Sequence, residues 1–219
     1  MKPLLAVLNV RAIPEVLDAL AALPGNQLFI RGYTERQISD GVWTTQVMPQ
    51  VKDRDYSHIT LISDDAVIPA HSLELVLAHA AEHPDRITTG WCNQDMSDDR
   101  VALSTKPLTD QVPKPSSYTL PTWRDVLMGP RVQRTYFTGF CLTTATVEMW
   151  DRYPYSAYGP EGFAADYSMS QRAHEDGVLI DVIRDAFVLH LRETRTGSPS
   201  HPERQVLVGD ITPEVTFND

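Results

Sequence analysis

The sequence predicts an α/β fold, in which a mostly parallel central sheet is flanked by helices within a single domain. Leu4 to Val10 is a continuous apolar run of strand length, and a helical pattern follows from Pro14 to Leu23. Ser57 to Ile62 is a second such run, followed by Pro69 and another helical pattern. A strand that leads directly into a helix is the repeating unit of α/β folds.

The remaining elements follow in order along the chain. Four prolines between residues 95 and 130 interrupt any long element, so this stretch is predicted as an excursion from the sheet. The other predicted elements are strands at Gln27–Ile30, Phe140–Thr144, Val178–Ile183 and Ala186–Leu191, and helices at Trp123–Met128 and Asp166–Glu175, the latter closed by Gly177. Residues 1–192 are thus predicted to form the domain, and residues 193–219 a mobile tail.

Length and composition indicate the class of protein. With 219 residues, 42% of them hydrophobic, the chain can bury a core without disulfides or a structural metal. Cys92 and Cys141 lack zinc-type spacing and are interpreted as buried thiols of a reducing cytosol. No apolar run approaches the roughly 18 residues that a membrane span needs. We therefore expect a soluble, cytoplasmic protein without a membrane partner.

Charge is distributed unevenly along the chain. The net charge of −10 argues against a protein that coats nucleic acid. Residues 104–134 nevertheless form a basic, proline-rich loop. Its cations are Lys106, Lys114, Arg124, Arg131 and Arg134, against two acids, Asp110 and Asp125. This loop is the part of the chain best suited to bind phosphate.

Several common catalytic motifs are absent from the sequence. The chain has no Gly-x-Gly-x-x-Gly, no P-loop, no His-Glu-x-x-His and no Gly-x-Ser-x-Gly. These absences argue against dehydrogenase, P-loop and serine-hydrolase functions.

Paired carboxylates follow the apolar strand that ends at Ile62. Asp64 and Asp65 are expected at the carboxyl end of that strand, where α/β sheets bind ligands and where carboxylates can hold a divalent cation. The simpler alternative is a turn and a helix cap. The acidic residues Asp95, Asp98 and Asp99 follow no buried strand and are interpreted as a solvated loop.

Two further side chains are candidates for chemistry. Asp166 opens a predicted helix, where a carboxylate can cap the helix, assist a metal or act as a general base. His190 ends the apolar run that begins at Ala186, where it is either a metal ligand or an ordinary edge residue.

The order of these signals resembles the GT-A fold of nucleotide-sugar glycosyltransferases, most closely the inverting enzymes of family 2. The resemblance spans roughly residues 4 to 191 and depends on order and spacing. The matching segments are Asn9-Val-Arg11, Ile59-Thr-Leu-Ile-Ser-Asp64-Asp65-Ala-Val-Ile-Pro69, Thr138-Gly139-Phe140-Cys141, Ala165-Asp166-Tyr-Ser-Met-Ser-Gln-Arg172 and Val188-Leu-His190.

The resemblance implies a function and a set of site residues. It implies transfer of a sugar from a nucleoside-diphosphate sugar to a hydroxyl acceptor, with inversion and with Mn2+ or Mg2+ as cofactor. Asp65, assisted by Asp64 and His190, would bind the metal, and Asp166 would be the catalytic base. Donor binding would fall to Asn9, Arg11, Arg192 and Arg195 besides the aspartates, and acceptor binding to Gly139, Phe140 and Trp123.

The sequence departs from the family pattern at three places. Ala165 stands where the family usually has Glu, Ser168 where it often has a second Asp, and Ser63 where the metal motif often has an acid. The second strand leads into Arg31-Gly-Tyr-Thr-Glu35 instead of the acids that usually hold the nucleobase.

The acceptor and the oligomeric state stay open at this stage. One hypothesis is that the basic loop, with Trp123, binds DNA that carries a hydroxymethylated base, as in small enzymes of bacteriophages. The alternatives to a glycosyltransferase are a non-catalytic nucleotide-sugar-binding module of the same fold and a nucleotidyltransferase.

Overall fold

The fold is given by a computed structural model. It describes residues 1–9, 14–31, 38–63, 65–94, 99–108, 119–139, 141–156, 165–191 and 214–218. The described strands are β1 (Pro3–Asn9), β2 (Asn26–Arg31), β3 (His58–Ser63), β4 (Ala66–Val67), β5 (Ile87–Cys92), β6 (Val132–Thr135), β7 (Leu142–Thr146), β8 (Ile180–His190) and β9 (Glu214–Asn218). The described helices are α1 (Pro14–Ala21), α2 (Met48–Lys52), α3 (Ala70–Glu82), α4 (Trp123–Met128), α5 (Val147–Arg152) and α6 (Ala165–Glu175). A further helical segment, Ile38–Val47, is broken at Gly41 and leads into α2.

These strands form one mixed sheet in the order β4-β8-β5-β7-β3-β1-β2-β9, with β6 also paired to β8. β1 is parallel to β2 and β3, and β5 is parallel to β8. β7 runs antiparallel between β3 and β5, and β4, β6 and β9 are antiparallel to their neighbours. The strands β1, β2, β3, β5 and β8 therefore share one direction, and their carboxyl ends meet at one edge of the sheet.

Both faces of the sheet are buried, which confirms the α/β prediction of a central sheet flanked by helices. Successive residues of β1 point to opposite faces, as strand geometry requires. Leu4 and Ala6 belong to one apolar core. This core is covered by the helical segment Ile38–Val47 and by the helices α5 and α6. Leu5 and Val7 belong to the other core, which α1 and α3 cover. This two-sided burial explains why β1 is a continuous apolar run.

The two strands predicted at Val178–Ile183 and Ala186–Leu191 are one strand, β8, and this prediction was wrong in that respect. The break that the sequence suggested corresponds to a change of register, because Thr89 pairs with Val182 whereas Trp91 pairs with Phe187. The first half of β8 pairs with β6 and the second half with β4. Beyond this change of register, the end of β8 lies beside β4, directly after the turn that follows β3.

The last part of the predicted mobile tail also differs from the expectation. Residues 192–213 lie outside the described residues, but Glu214–Asn218 form β9 along β2. Phe217 stacks on Tyr56, with ring centroids 6.4 Å apart, and the Arg54 guanidinium lies 3.8 Å from the centre of its ring. These contacts fasten β9 to the sheet. None of the helices in the described parts of the chain has the length and apolar character that crossing a membrane requires.

Candidate active site at the carboxyl edge of the sheet

Asp65 and His190 are in contact at the edge where the parallel strands end. The turn after β3 carries Asp65, and β8 ends at His190. His190 Nε2 lies 3.0 Å from Asp65 Oδ2, and the backbone N–H of Leu191 donates to the Asp65 carbonyl at 2.8 Å. Ser63 Oγ donates to Asp65 Oδ1. Two residues 125 positions apart are thus brought together, as the sequence analysis expected of residues at strand ends.

Asn93 orients the His190 ring. His190 Nδ1 donates to the Asn93 carbonyl at 3.2 Å, and the Asn93 side chain exchanges two hydrogen bonds with the backbone of His190, of 3.1 and 3.0 Å. Both ring nitrogens therefore face acceptors. Burial lowers the pKa of His190, but the nearby Cys141 sulfur and the Asp65 carboxylate raise it by more, so that the pKa reaches about 9. With an acceptor at each ring nitrogen, the geometry suits an imidazolium paired with Asp65.

The two cysteines lie beside His190, which the sequence analysis did not foresee. Cys92 ends β5, and Cys141 directly precedes β7. The two sulfur atoms and one nitrogen of His190 all lie within 4.8 Å of one another. Both thiols are buried. A hydrogen bond with Cys92 and burial raise the pKa of the Cys141 thiol well above its usual value. Cys141 lies near the start of the predicted strand Phe140–Thr144, whereas no strand was predicted at Cys92 and the spacing along the chain gave no signal.

A network of buried threonine hydroxyls holds the segment that leads into β7. Thr143 Oγ1 donates to the Gly139 carbonyl at 3.1 Å and lies 2.9 Å from Thr138 Oγ1. Thr138 in turn donates to Thr89 Oγ1 at 2.8 Å. These bonds join β5 to the segment that leads into β7, and they hold the backbone at Gly139 in place.

Asp166 lies against Gly139. It stands in the first turn of α6 and is partly buried, and its Oδ1 accepts the backbone N–H of Tyr167 at 2.8 Å. A Cβ atom at Gly139 would lie 3.9 Å from Asp166 Oδ2. Gly139 and Cys141 are two residues apart, and trans peptide geometry allows such residues a separation of at most about 7 Å. Asp166 and His190 therefore lie near the two ends of one short segment.

Of the other predicted site residues, the structure describes Asn9 and Trp123 but not the remaining five. Asn9 is the last residue of β1 and reaches the same sheet edge, although nothing is described of its side chain. Trp123 begins α4 and is 45% exposed. Val126 of the same helix packs in one cluster with Val182 of β8, which lies eight residues before His190 along the chain. Arg11, Asp64, Phe140, Arg192 and Arg195 lie outside the described residues.

Comparison with known proteins gives likeness in structure alone. No protein-family model and no curated protein matches the chain. Among solved structures, A197 from STIV matches with a TM-score of 0.52 and 12% identity, over 92% of this chain and 100% of that one. GalNAc-T7, crystallised with UDP, GalNAc and Mn2+, matches with a TM-score of 0.52 and 7% identity, over 96% of this chain and 48% of that one. The chain spans about half the length of this second protein.

The fold is similar to that of a GT-A glycosyltransferase. The predicted fold class is therefore confirmed, whereas membership of family 2 is not, since identities this low establish the fold alone. The inositol-1-phosphate CTP transferase from T. maritima also matches, over 96% of this chain and 97% of that one, with a TM-score of 0.46 and 9% identity. The function has to be argued from the site.

Proposed function

We propose that the protein is a metal-dependent glycosyltransferase, which moves a sugar from a nucleoside-diphosphate sugar to a hydroxyl acceptor with inversion. The observation that carries this proposal is the contact between Asp65 and His190 at the carboxyl edge of a GT-A-like sheet. Ligand sites of open α/β sheets lie at this edge. The similarity to the structure of GalNAc-T7 supports the choice of a nucleotide-based donor.

The residues around this contact fit a divalent cation. Oxygen and imidazole ligands suit Mn2+, and neighbouring ligands on bonds of 2.0–2.1 Å are about 3 Å apart, close to the separation of Asp65 Oδ2 and His190 Nε2. Asn93 holds the other nitrogen of His190, an arrangement that is common behind metal-binding histidines. Mn2+ or Mg2+ would be held by Asp65 and His190, with Asp64 as a further ligand. When bound, the ion supplies positive charge against the leaving diphosphate.

Asp166 is proposed as the general base. Its carboxylate stands at the positive end of α6, which favours the charged form, and the backbone N–H of Tyr167 fixes its Oδ1. Gly139 has no side chain, and even a Cβ atom there would lie 3.9 Å from Oδ2, so the acceptor hydroxyl is proposed to approach on this side. Asp166 takes the proton of that hydroxyl as the oxygen attacks the sugar, and the departing group is the nucleoside diphosphate. Asn9, Arg11, Arg192 and Arg195 are proposed to bind the donor.

The exposed cations of the basic loop make a hydroxylated DNA base the first acceptor hypothesis to test. Lys106, Arg124, Arg131 and Arg134 are exposed, and Arg124 lies over the Trp123 ring, 5.7 Å from its centre. Cations position a phosphate backbone and an exposed aromatic ring can stack on a base. Transfer to hydroxymethylated DNA should then fall steeply with salt. Transfer to small acceptors combined with indifference to DNA at every salt concentration would contradict this hypothesis.

The test of the function is a panel of nucleotide sugars incubated with the protein and Mn2+. We expect release of a nucleoside diphosphate, loss of that release in Asp65→Asn and Asp166→Asn, and an inverted anomeric configuration by NMR. Asp185→Asn is the control, because Asp185 is a carboxylate on the same strand as His190 but pairs with Arg184 in solvent. Release of pyrophosphate would indicate a nucleotidyltransferase instead. Donor binding without turnover would indicate a non-catalytic module.

A further inference from the structure

Cys92, Cys141 and His190 form a second set of metal-binding side chains, which shares His190 with the site proposed above. One ligand atom from each lies within 4.8 Å of the others, and Asp65 Oδ2 lies 3.0 Å from His190 Nε2. We propose that Cys92, Cys141 and His190 bind a thiophilic divalent cation of the Zn2+ class, beside Asp65. This inference concerns the same edge of the sheet as the proposed function, but the binding itself does not depend on sugar transfer.

The sheet brings the ligands together from three neighbouring strands. β5 lies between β7 and β8, with Thr89 paired to Thr143 on one side and Cys92 paired to Val188 on the other. Cys92 is therefore close to the start of β7, where Cys141 stands, and to the end of β8, where His190 stands. The backbone pairing of the sheet fixes these positions before any metal binds.

The ligand set selects a soft ion. Thiolates favour Zn2+ over Mn2+ or Mg2+, and sites with cysteine and histidine ligands are typically tetrahedral. Bonds of about 2.3 Å to sulfur and 2.0–2.1 Å to nitrogen place tetrahedral ligands about 3.3–3.8 Å apart, so atoms within 4.8 Å of one another need to move inward by less than about 1 Å each. Binding releases the two thiol protons and the Nε2 proton of His190 to solvent.

The cluster lies in a buried part of the protein. Cys92, Cys141 and Asp65 are 2%, 8% and 3% exposed. Asn93 accepts the hydrogen bond of His190 Nδ1, which leaves Nε2 for the ion and fixes the orientation of the ring. A Zn2+ ion bound by the two thiolates and His190 would take His190 away from the hard ion that the proposed transferase needs. Zn2+ is therefore expected to inhibit Mn2+-dependent turnover.

Co2+ binding to the reduced full-length chain tests the inference directly. Thiolate ligands give Co2+ a strong near-ultraviolet charge-transfer band, and the chain has only two cysteines, so the band reports this cluster alone. We expect the band in the unaltered protein, its displacement by Zn2+, and its loss in Cys92→Ser and Cys141→Ser. Zn2+ affinity should fall by more than about 100-fold in each variant, since loss of an outer-shell partner alone costs about 10–100-fold.

His79→Gln is the matched control. His79 Nε2 lies 3.0 Å from Asp181 Oδ2, and the exposures of the two side chains, 13% and 5%, equal those of His190 and Asp65. His79→Gln should therefore keep the band, whereas His190→Gln should weaken it. As a measurement that needs no variant, Zn2+ should raise the unfolding temperature of the unaltered protein.

The outcomes separate this inference from the proposed function. Absence of a thiolate band and of stabilisation by Zn2+, together with Mn2+-dependent sugar transfer, would overturn the inference and leave the function standing. A band that requires both cysteines, in a protein that transfers no sugar, would support the inference and overturn the function.

Discussion

The substitution Gly90→Ala probes how the sheet positions the site. Gly90 lies in β5 at the register change opposite β8, two residues before Cys92. A Cβ atom there would lie 2.6 Å from the Ala186 carbonyl oxygen and 3.2 Å from Leu142 Cδ2. Because Cβ atoms essentially never come within 3.0 Å of another atom, backbone must move by at least about 0.4 Å. The two strands that carry Cys92 and His190 would be forced apart.

The expected cost follows from the kind of atom that is displaced. Overpacking against a fixed backbone costs about 1–3 kcal/mol, and replacing glycine returns about 0.4–1 kcal/mol by restricting the unfolded chain. We therefore expect a net loss of about 1–2 kcal/mol in the free energy of unfolding, which lowers the melting temperature by about 2–8 °C for a chain of this length. Urea and thermal unfolding followed by circular dichroism measure both quantities.

Gly139→Ala is the companion substitution, with the opposite expectation. Its new methyl group would make contacts of 3.9 Å with Ala102 Cβ and Asp166 Oδ2, which are ordinary distances. Stability should hardly change, whereas sugar transfer should fall because the methyl group fills space beside Asp166. Equal melting temperatures for Gly90→Ala and the unaltered protein would refute the reasoning about β5. A Gly139→Ala variant with full activity would refute the role given to that space.

Three further predictions concern stability. Thr143→Val should lower the free energy of unfolding by about 1–3 kcal/mol in urea, because buried hydroxyls such as that of Thr138 lose a partner. Burial lowers the pKa of His58 below 6.5, so its contribution to stability is present above pH 6.5 and is lost as the pH falls through the folded pKa. NMR titration and unfolding at pH 7.5 and 5 check this sign, and a folded pKa above 6.5 would contradict it. Phe217→Ala should cost about 3–5 kcal/mol at most, since Phe217 is only partly buried against Tyr56, and unchanged urea unfolding would contradict the importance of β9.

Several elements were predicted correctly from signals within their own segment of the sequence. The apolar run of β1 is buried on both faces, and the helix from Asp166 ends where Gly177 adopts a positive φ of 76°. The short helix Trp123–Met128 was predicted at its observed bounds, and its Thr122 and Asp125 form a reciprocal cap. The signals for these features lie within each segment, as an apolar run or as capping residues a few positions apart, which is why the sequence alone contains them.

Elements that depend on distant partners could not be predicted in this way. β5, with the sequence Ile-Thr-Thr-Gly-Trp-Cys, has a glycine and two threonines inside, and its Thr89 is held by hydroxyl contacts to β7, more than 50 residues away. The cluster of Cys92, Cys141 and His190 likewise exists only because β5, β7 and β8 are neighbours. The approach of Asp65 to His190 was implied by the resemblance to the GT-A glycosyltransferases, whereas its hydrogen bonds were not.

The strand β9 also bears on how the protein behaves at high concentration. Without Glu214–Asn218, the apolar strand Asn26–Arg31 would present a free row of backbone donors and acceptors, to which strands of other molecules could add. A chain shortened before residue 214 should therefore tend to self-associate into amyloid-like aggregates, even where the proposed active site is intact. Glu214–Asn218 should therefore be retained when the protein is produced for experiments.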